Sequence, residues 1–172
     1  MSKYWSDIIS RLTPYTPGEQ PEDKILLKLN TNENPYSPSI KVLDAIKLSV
    51  KESLRLYPDP ESDYLKETIS NYYNLSKANI FVGNGSDEIL AFIFQALLKK
   101  EDPVLFPDIT YSFYPAYCSL YDIKYKRIPL DKELNINLKD YLINNGGIIF
   151  PNPNAPTGIP KKLVDIENLL KL

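Results

Sequence analysis

Short apolar segments alternate with helix-like segments along the second half of this 172-residue chain. Val104-Leu105-Phe106 and Ile148-Ile149-Phe150 are uninterrupted apolar runs, as expected of strands that are buried on both faces. Strands are predicted at 79–82, 103–106, 123–128 and 147–150, and helices at 87–99, 110–121, 137–144 and from 160 onwards. This alternation predicts an α/β layered domain.

The first part of the chain follows another pattern. Residues 1–35 are rich in Pro and Asn and predict an extended arm. Apolar residues at helical spacing after Ser39 predict a helix to about Leu54, and a proline-punctuated loop separates it from a second helix, from Glu61 to about Leu75. The expected organisation is an arm at 1–35, a linking helix and loop at 36–60, and a layered domain at 61–172.

Composition excludes several kinds of chemistry. The chain has no histidine and one cysteine, Cys118, so Ser-His-Asp triads, Cys-His pairs and the usual His/Cys zinc sites cannot be built from it. No metal site is predicted. A net charge of −2 without a run of Lys or Arg indicates neither nucleic acid nor a membrane surface as a partner. The first residues lack the apolar core of a signal peptide, so a cytoplasmic location is expected.

A glycine-containing turn, Gly83-Asn84-Gly85-Ser86-Asp87-Glu88, lies between a predicted strand and an apolar predicted helix. Ser86 is a good N-cap residue, and Asp87 and Glu88 suit the positive end of the helix dipole. The glycines permit close backbone approach, and free N–H groups at the turn can hold a phosphate. An ordinary capped helix is the alternative, which the two carboxylates favour. A nucleotide P-loop is excluded, because no Lys-Ser or Lys-Thr follows the glycines.

A second turn, Pro151-Asn152-Pro153-Asn154-Ala155-Pro156-Thr157-Gly158, follows the last predicted strand. Its three prolines fix φ and remove backbone donors, so the strand cannot continue. Such rigidity suits a loop that is held still against a ligand. The alternative is a strand-to-helix connection that is merely rich in proline.

Five segments of the chain form an ordered series: Leu29–Tyr36, Leu56–Pro60, Gly83–Glu88, Pro107–Ser112 and Pro151–Gly158. Their order and spacing resemble the histidinol-phosphate aminotransferases, which are class II pyridoxal-phosphate enzymes of the type I aminotransferase fold. The resemblance implies the three-layer large domain of that fold, incomplete here and preceded by an extended N-terminal arm. It also implies pyridoxal 5'-phosphate as cofactor. The implied reaction transfers an amino group from histidinol phosphate, the donor, to the 2-oxo acid 2-oxoglutarate in histidine biosynthesis.

The resemblance assigns roles to individual residues. Gly85, Ser86 and Asp87 match the cup that binds the cofactor phosphate, and Tyr111 matches the aromatic residue that stacks on the pyridine ring. Tyr57 matches a tyrosine that reaches the cofactor phosphate of the partner subunit, which implies a homodimer with shared active sites. Taken without the resemblance, Tyr111 is one of 13 tyrosines and fits a core position, and Tyr57 fits a packed loop.

Two further segments are interpreted through the resemblance. Asn32, Glu33 and Asn34 match the arm that covers the substrate, although Asn and Glu are also ordinary turn residues. The proline turn departs from the family at Ala155, where an asparagine commonly bonds to the oxygen on the cofactor ring. Alanine cannot form this bond, and Asn154 takes its place as a cofactor contact only if the turn shifts.

The resemblance places three catalytic groups beyond Gly158: the lysine that forms the Schiff base, the aspartate at the pyridinium nitrogen and the arginine that binds the anionic end of the substrate. Lys161, Lys162 and Lys171 are expected on a solvated helix face. No catalytic residue is therefore predicted within the chain. We expect the chain to be the N-terminal part of such an enzyme, inactive by itself.

Other functions remain open at this point. The motifs do not separate histidinol-phosphate aminotransferases from other branches of the fold, such as threonine-phosphate decarboxylases or aromatic aminotransferases. A non-catalytic α/β binding or assembly module that kept half of the fold is a further alternative.

Overall fold

The computed structural model describes residues 3–13, 27, 29–98 and 101–171. The chain divides into two compact units, one formed by residues 1–15 and 84–172 and the other by residues 16–83. Residues 1, 2, 14–26 and 28 of the predicted extended arm lie outside the described residues. In the described part of the arm, Asp7–Arg11 forms a 3₁₀ turn.

The unit of residues 16–83 contains the helices α1 (Ile40–Ser49) and α2 (Asp63–Tyr73). The helix predicted to reach Leu54 ends earlier, because the Val50 N–H bonds to the carbonyl of Lys47 at 3.3 Å and tightens the last turn. Glu52–Arg55 then forms a separate 3₁₀ turn. None of the residues of α1 is buried.

The start of α2 is held by Asp59. Its two carboxylate oxygens accept the backbone N–H groups of Glu61 at 3.0 Å and of Asp63 at 2.7 Å. These bonds lower the pKa of Asp59, since they stabilise the ionised carboxylate. An ion pair of 2.6 Å between Lys77 and Asp63 ties α2 to the segment that follows it.

The strand predicted at 79–82 is wrong. Lys77–Asn79 forms a 3₁₀ turn with a reciprocal cap, in which the Ser76 hydroxyl accepts the Ala78 N–H and the Asn79 side chain accepts the Ser76 N–H. The N–H of Ile80 bonds to Lys77 instead of to a neighbouring strand. The capped turn therefore takes the N–H of Ile80, which a strand at this position would have needed for pairing.

The unit of residues 1–15 and 84–172 contains a parallel sheet of three strands in the order β2-β1-β3. The strands are β1 (Val104–Pro107), β2 (Tyr125–Ile128) and β3 (Gly147–Ile148). The helices are α3 (Gly85–Ala96), α4 (Tyr114–Tyr121) and α5 (Leu163–Leu169). In the register of the sheet, Val104 lies opposite both Tyr125 and Gly147. The α/β architecture predicted from the sequence is confirmed.

Apolar side chains pack on both faces of β1. Val104 and Phe106 belong to a cluster with Phe94 of α3 and with Tyr117 of α4, whereas Leu105 belongs to a second cluster. Successive residues of a strand point to opposite faces of a sheet, so β1 is the centre of both cores. The second cluster consists of Leu105, Ile128, Ile136 and Tyr141. The prediction that Val104–Phe106 is covered on both faces is confirmed.

Several helix boundaries differ from the prediction. The helix predicted at 137–144 is wrong, because only Leu138–Tyr141 turns, as a 3₁₀ segment that Asn137 caps through the Lys139 N–H. The helix predicted at 110–121 begins at Tyr114, with a proline in its first turn. Residues 108–113 are consequently free to form a loop.

Candidate functional site

Two loops meet at one edge of the sheet. Residues 108–113 follow β1, and residues 149–159 follow β3. Because β1 and β3 are adjacent parallel strands, both loops leave the sheet at its carboxyl-terminal edge. Ligand sites of open α/β sheets commonly lie at this edge. The N-terminus of α3 reaches the same place, because Asp87 contacts Tyr111 of the first loop.

The N-terminus of α3 is exposed and open. Gly85 has φ +81°, and a Cβ added to it would meet no atom within 4 Å. The N-cap residue is Asn84, whose N–H is bound by the Glu88 carboxylate at 2.6 Å. The prediction that Ser86 is the N-cap is therefore wrong: the helix begins at Gly85, and Ser86 lies inside its first turn.

The two carboxylates of this turn have hydrogen-bond donors. Glu88 accepts the Asn84 N–H, and Asp87 accepts the hydroxyl of Tyr111 at 2.7 Å. The backbone carbonyl of Asp87 also accepts the hydroxyl of Tyr117 at 2.9 Å. The first-turn N–H groups, which have no partner within the helix by geometry, remain at the positive end of the dipole.

The ring of Tyr111 is held at both ends. Its hydroxyl donates to Asp87, and its ring packs edge-on against Tyr114, with centroids 5.5 Å apart and an interplanar angle of 78°. The residue is half-buried and packs against the core cluster of α3 and α4. Gly85, Ser86, Asp87 and Tyr111, which the sequence placed in one site, thus lie in one region of the structure.

The side chain of Asn154 lies in a buried environment, where it contacts other protein groups. Its side chain is buried, with 1% exposed, and its Oδ1 accepts the hydroxyl of Thr110 at 2.8 Å. Its Nδ2 donates to the carbonyl of Ile109 at 3.0 Å and to the hydroxyl of Thr157 at 3.3 Å. The side-chain amide thus forms hydrogen bonds that join the two loops. The sequence suggested a contact with the cofactor instead.

The remaining predicted site residues belong to the unit of residues 16–83. Tyr57 is fully exposed, and Asn32, Glu33 and Asn34 are exposed as well. The side chain of Asn34 accepts the N–H of Tyr36 at 2.9 Å, which is the bond of an Asx turn.

Buried tyrosines of α4 pack next to the site. Burial raises the pKa of Tyr114 and of Tyr117 to about 12, so both hydroxyls are neutral and can only donate or accept hydrogen bonds near neutral pH. Tyr117 donates its hydroxyl to the backbone carbonyl of Asp87, a role that the sequence did not indicate. Thr110 was also missed, although it directly precedes Tyr111.

Other kinds of site are not indicated. Within the described residues, no group of three or more His, Cys, Asp or Glu side chains is placed to hold a metal ion. Each helix in the described part of the chain is too short or too polar to cross a bilayer. Lys162 and Lys171 are exposed and Lys161 is half-buried, but all three lie outside α5, so the prediction that they form a helix face is wrong.

The family model of aminotransferase class I and II matches residues 24–172. The chain belongs to this family. Among curated class I and II aminotransferases, it is 58% identical to histidinol-phosphate aminotransferase 1 of Methylococcus capsulatus over 170 residues, which is 99% of this chain and 48% of that protein. It is 59% identical to histidinol-phosphate aminotransferase 2 of Thiobacillus denitrificans over 169 residues, 98% of this chain and 47% of that protein. The chain spans about half the length of the curated relatives it matches.

Two solved structures share the fold of this chain. Histidinol-phosphate aminotransferase from Sinorhizobium meliloti, in complex with pyridoxal-5'-phosphate, matches with a TM-score of 0.85 at 22% identity, over 99% of this chain and 48% of that chain. A putative histidinol-phosphate aminotransferase from Erwinia carotovora matches with a TM-score of 0.74 at 21% identity, over 83% of this chain and 42% of that chain. The predicted type I aminotransferase fold is confirmed.

Proposed function

We propose that the chain is part of a pyridoxal-phosphate-dependent aminotransferase that transfers an amino group between histidinol phosphate and 2-oxoglutarate. The observation that carries the proposal is the contact of Tyr111 with Asp87, which joins the open start of α3 to an aromatic ring at the carboxyl-terminal edge of the sheet. The identities of 58% and 59% to histidinol-phosphate aminotransferases support the choice of substrate.

The start of α3 fits a phosphate group. The turn is exposed, and Gly85 leaves open space where a side chain would project. Backbone N–H groups of the first turn and the helix dipole favour an anion at this position. The hydroxyl of Ser86, which lies in this turn, is a further donor. We assign the cofactor phosphate to Gly85, Ser86 and Asp87.

The ring of Tyr111 fits a flat cofactor. A fixed aromatic side chain favours stacking of a second ring at a defined distance. The ring is hydrogen-bonded to Asp87 and packs on Tyr114, and both contacts restrict its position. In this proposal the cofactor supplies the electron sink for transamination, and the chain binds and orients it.

The other predicted site residues stay proposals. Tyr57, fully exposed, is suited to reach a second subunit, and we propose a homodimer in which it contacts the partner's cofactor. Asn32, Glu33 and Asn34 are proposed to cover the substrate. The cytoplasmic location expected from the sequence also stays a prediction.

The decisive experiment uses the full-length protein and the isolated chain of residues 1–172 in parallel. Each is titrated with pyridoxal 5'-phosphate and assayed for amino transfer from histidinol phosphate, from aromatic amino acids and for decarboxylation of threonine phosphate. We expect cofactor binding and the highest kcat/KM with histidinol phosphate in the full-length protein, and no turnover with the isolated chain.

Other outcomes would contradict the proposal in distinct ways. Preference for threonine phosphate or an aromatic donor assigns the protein to another branch of the fold. Failure of the full-length protein to bind the cofactor favours a non-catalytic module. Turnover by residues 1–172 alone contradicts the expectation that the chain is inactive by itself.

A further inference from the structure

One buried amide joins the two loops of the site. Asn154 lies in the turn after β3, and its side-chain partners Ile109 and Thr110 lie in the loop after β1, 45 and 44 residues earlier in the chain. The residue is 1% exposed, so these bonds are shielded from competing water. A buried polar group that loses its partner costs about 1–3 kcal/mol.

The turn does not need this side chain to close. The backbone carbonyl of Asn154 accepts the Gly158 N–H at 2.7 Å, and the backbone N–H of Asn154 donates to the carbonyl of Ile159 at 3.0 Å. These backbone bonds span the turn without using the side chain of Asn154. Of the three side-chain bonds, two therefore go to the other loop, and only the bond to Thr157 is local.

The partners of Asn154 directly precede the aromatic ring of the proposed site. Thr110 is bound to Asn154, and the next residue, Tyr111, is bound to Asp87 at the start of α3. The dipeptide Thr110-Tyr111 is consequently held between the turn on one side and the proposed phosphate site on the other.

We propose that Asn154 is a positioning residue that holds the loop of Ile109 and Thr110 in place and thereby sets where the ring of Tyr111 lies. The inference rests on the proposed function, since it concerns how well that ring is placed for a cofactor. Asn154 itself makes no contact with the cofactor; it acts through Thr110.

The same turn contains a matched control. The side chain of Asn152 also makes two hydrogen bonds, but this residue is exposed. Both bonds go to the backbone of Lys161, at 2.8 Å and 3.0 Å. Replacing Asn152 by alanine removes two bonds from the turn without touching the loop after β1.

The experiment compares Asn154→Ala, Asn152→Ala, Thr110→Val and Thr110→Ser in the full-length protein. The first readout is hydrogen–deuterium exchange over residues 108–113 without cofactor. The second is the dissociation constant of pyridoxal 5'-phosphate, together with the visible circular dichroism of the bound cofactor. Thermal unfolding is measured for all four variants.

We expect Asn154→Ala and Thr110→Val to speed hydrogen–deuterium exchange in residues 108–113 and to change the dichroic band of the cofactor. Both should raise the dissociation constant of the cofactor about tenfold, because each loses a buried hydrogen bond. Thr110→Ser keeps the hydroxyl and should bind within about twofold of the natural protein. Asn152→Ala should lower the unfolding temperature without changing the exchange or the binding.

The inference is overturned if Thr110→Val is folded and retains normal exchange and affinity, and this variant decides the question where Asn154→Ala does not fold. It is also overturned if Asn152→Ala changes exchange and affinity as much as Asn154→Ala. If the natural protein does not bind the cofactor, the proposed function fails, whereas exchange in 108–113 still tests the role of Asn154.

Discussion

The hydroxyl of Tyr111 donates to Oδ1 of Asp87 at 2.7 Å, across 24 positions of the sequence. This bond connects the loop after β1 to the first turn of α3. A hydrogen bond to an ionised acceptor is stronger than one between neutral groups, so it restrains both the ring and the carboxylate.

Substitution of Tyr111 separates its ring from its hydroxyl. Tyr111→Phe keeps the ring and loses the bond to Asp87, so we expect pyridoxal 5'-phosphate to bind about threefold to tenfold more weakly. Tyr111→Leu also loses the aromatic face and should bind more weakly still. Titration followed by absorbance measures both. Tyr125→Phe, on β2, is the control, and normal affinity of Tyr111→Leu would contradict the stacking role.

Alkaline pH should destabilise the unit that carries the sheet. Tyr114 and Tyr117 have pKa values raised to about 12 by burial, against an ordinary value of 10.0. Between these values the unfolded chain has lost protons that the folded chain retains, so the free energy of unfolding falls as pH rises. The fall is up to about 1.4 kcal/mol per pH unit for each tyrosine. The pKa of Cys118 is also raised to about 12, which acts in the same direction.

This pH dependence is measured by urea unfolding at a series of pH values below and above 10. Tyr117→Phe should reduce the slope, because one titrating group is removed. Tyr72→Phe is the control, since the side chain of Tyr72 is 81% exposed. An unchanged slope in Tyr117→Phe would show that this tyrosine does not titrate with unfolding.

Cys118 should be nearly inert in the folded protein. It is 1% exposed, and burial raises the pKa of its thiol to about 12, so the reactive thiolate is scarce near neutral pH. We expect iodoacetamide to modify it at least about 100-fold more slowly in the native protein than in denaturant. Mass spectrometry of the peptide that contains Cys118 measures both rates. Equal rates would mean that the core around α4 opens freely.

Loss of the hydroxyl should affect the free energy of unfolding differently at two buried tyrosines. The hydroxyl of Tyr141 has no hydrogen-bond partner among the described residues, whereas that of Tyr117 donates to the carbonyl of Asp87. Tyr141→Phe should therefore leave stability unchanged or raise it by about 1 kcal/mol, and Tyr117→Phe should lower it by about 1 kcal/mol. Denaturant unfolding of the two variants tests this. A loss of stability in Tyr141→Phe would reveal a partner for its hydroxyl.

The sequence predicts the layered fold well where apolar pattern decides the structure. The run Val104–Phe106 is a central strand because three consecutive apolar residues need cover on both faces. The run Ile80-Phe81-Val82 is also entirely apolar but is not a strand, since the N–H of Ile80 bonds to the preceding turn at Lys77–Asn79. Pattern alone does not reveal such local competition.

The candidate site was also predicted only in part. The resemblance predicts a shared site for Asp87 and Tyr111, whose side chains are in contact in the structure. It does not predict the orientation of the Asn154 amide, because this depends on Ile109 and Thr110, which the fold brings close from far away in the sequence. Nor does it predict the cap at Asn84, whose N–H donates to the Glu88 carboxylate.

The strand order β2-β1-β3 has a consequence for how the chain tolerates changes in length. The strands that carry the two loops of the site are direct neighbours, whereas β2 lies at the far side of β1. Extra residues in the exposed turn at 131–134, between β2 and β3, would lengthen the connection without shifting Thr110 against Asn154. We therefore expect insertions in this outer connection to leave the pairing of the two inner strands, and with it the site, in place.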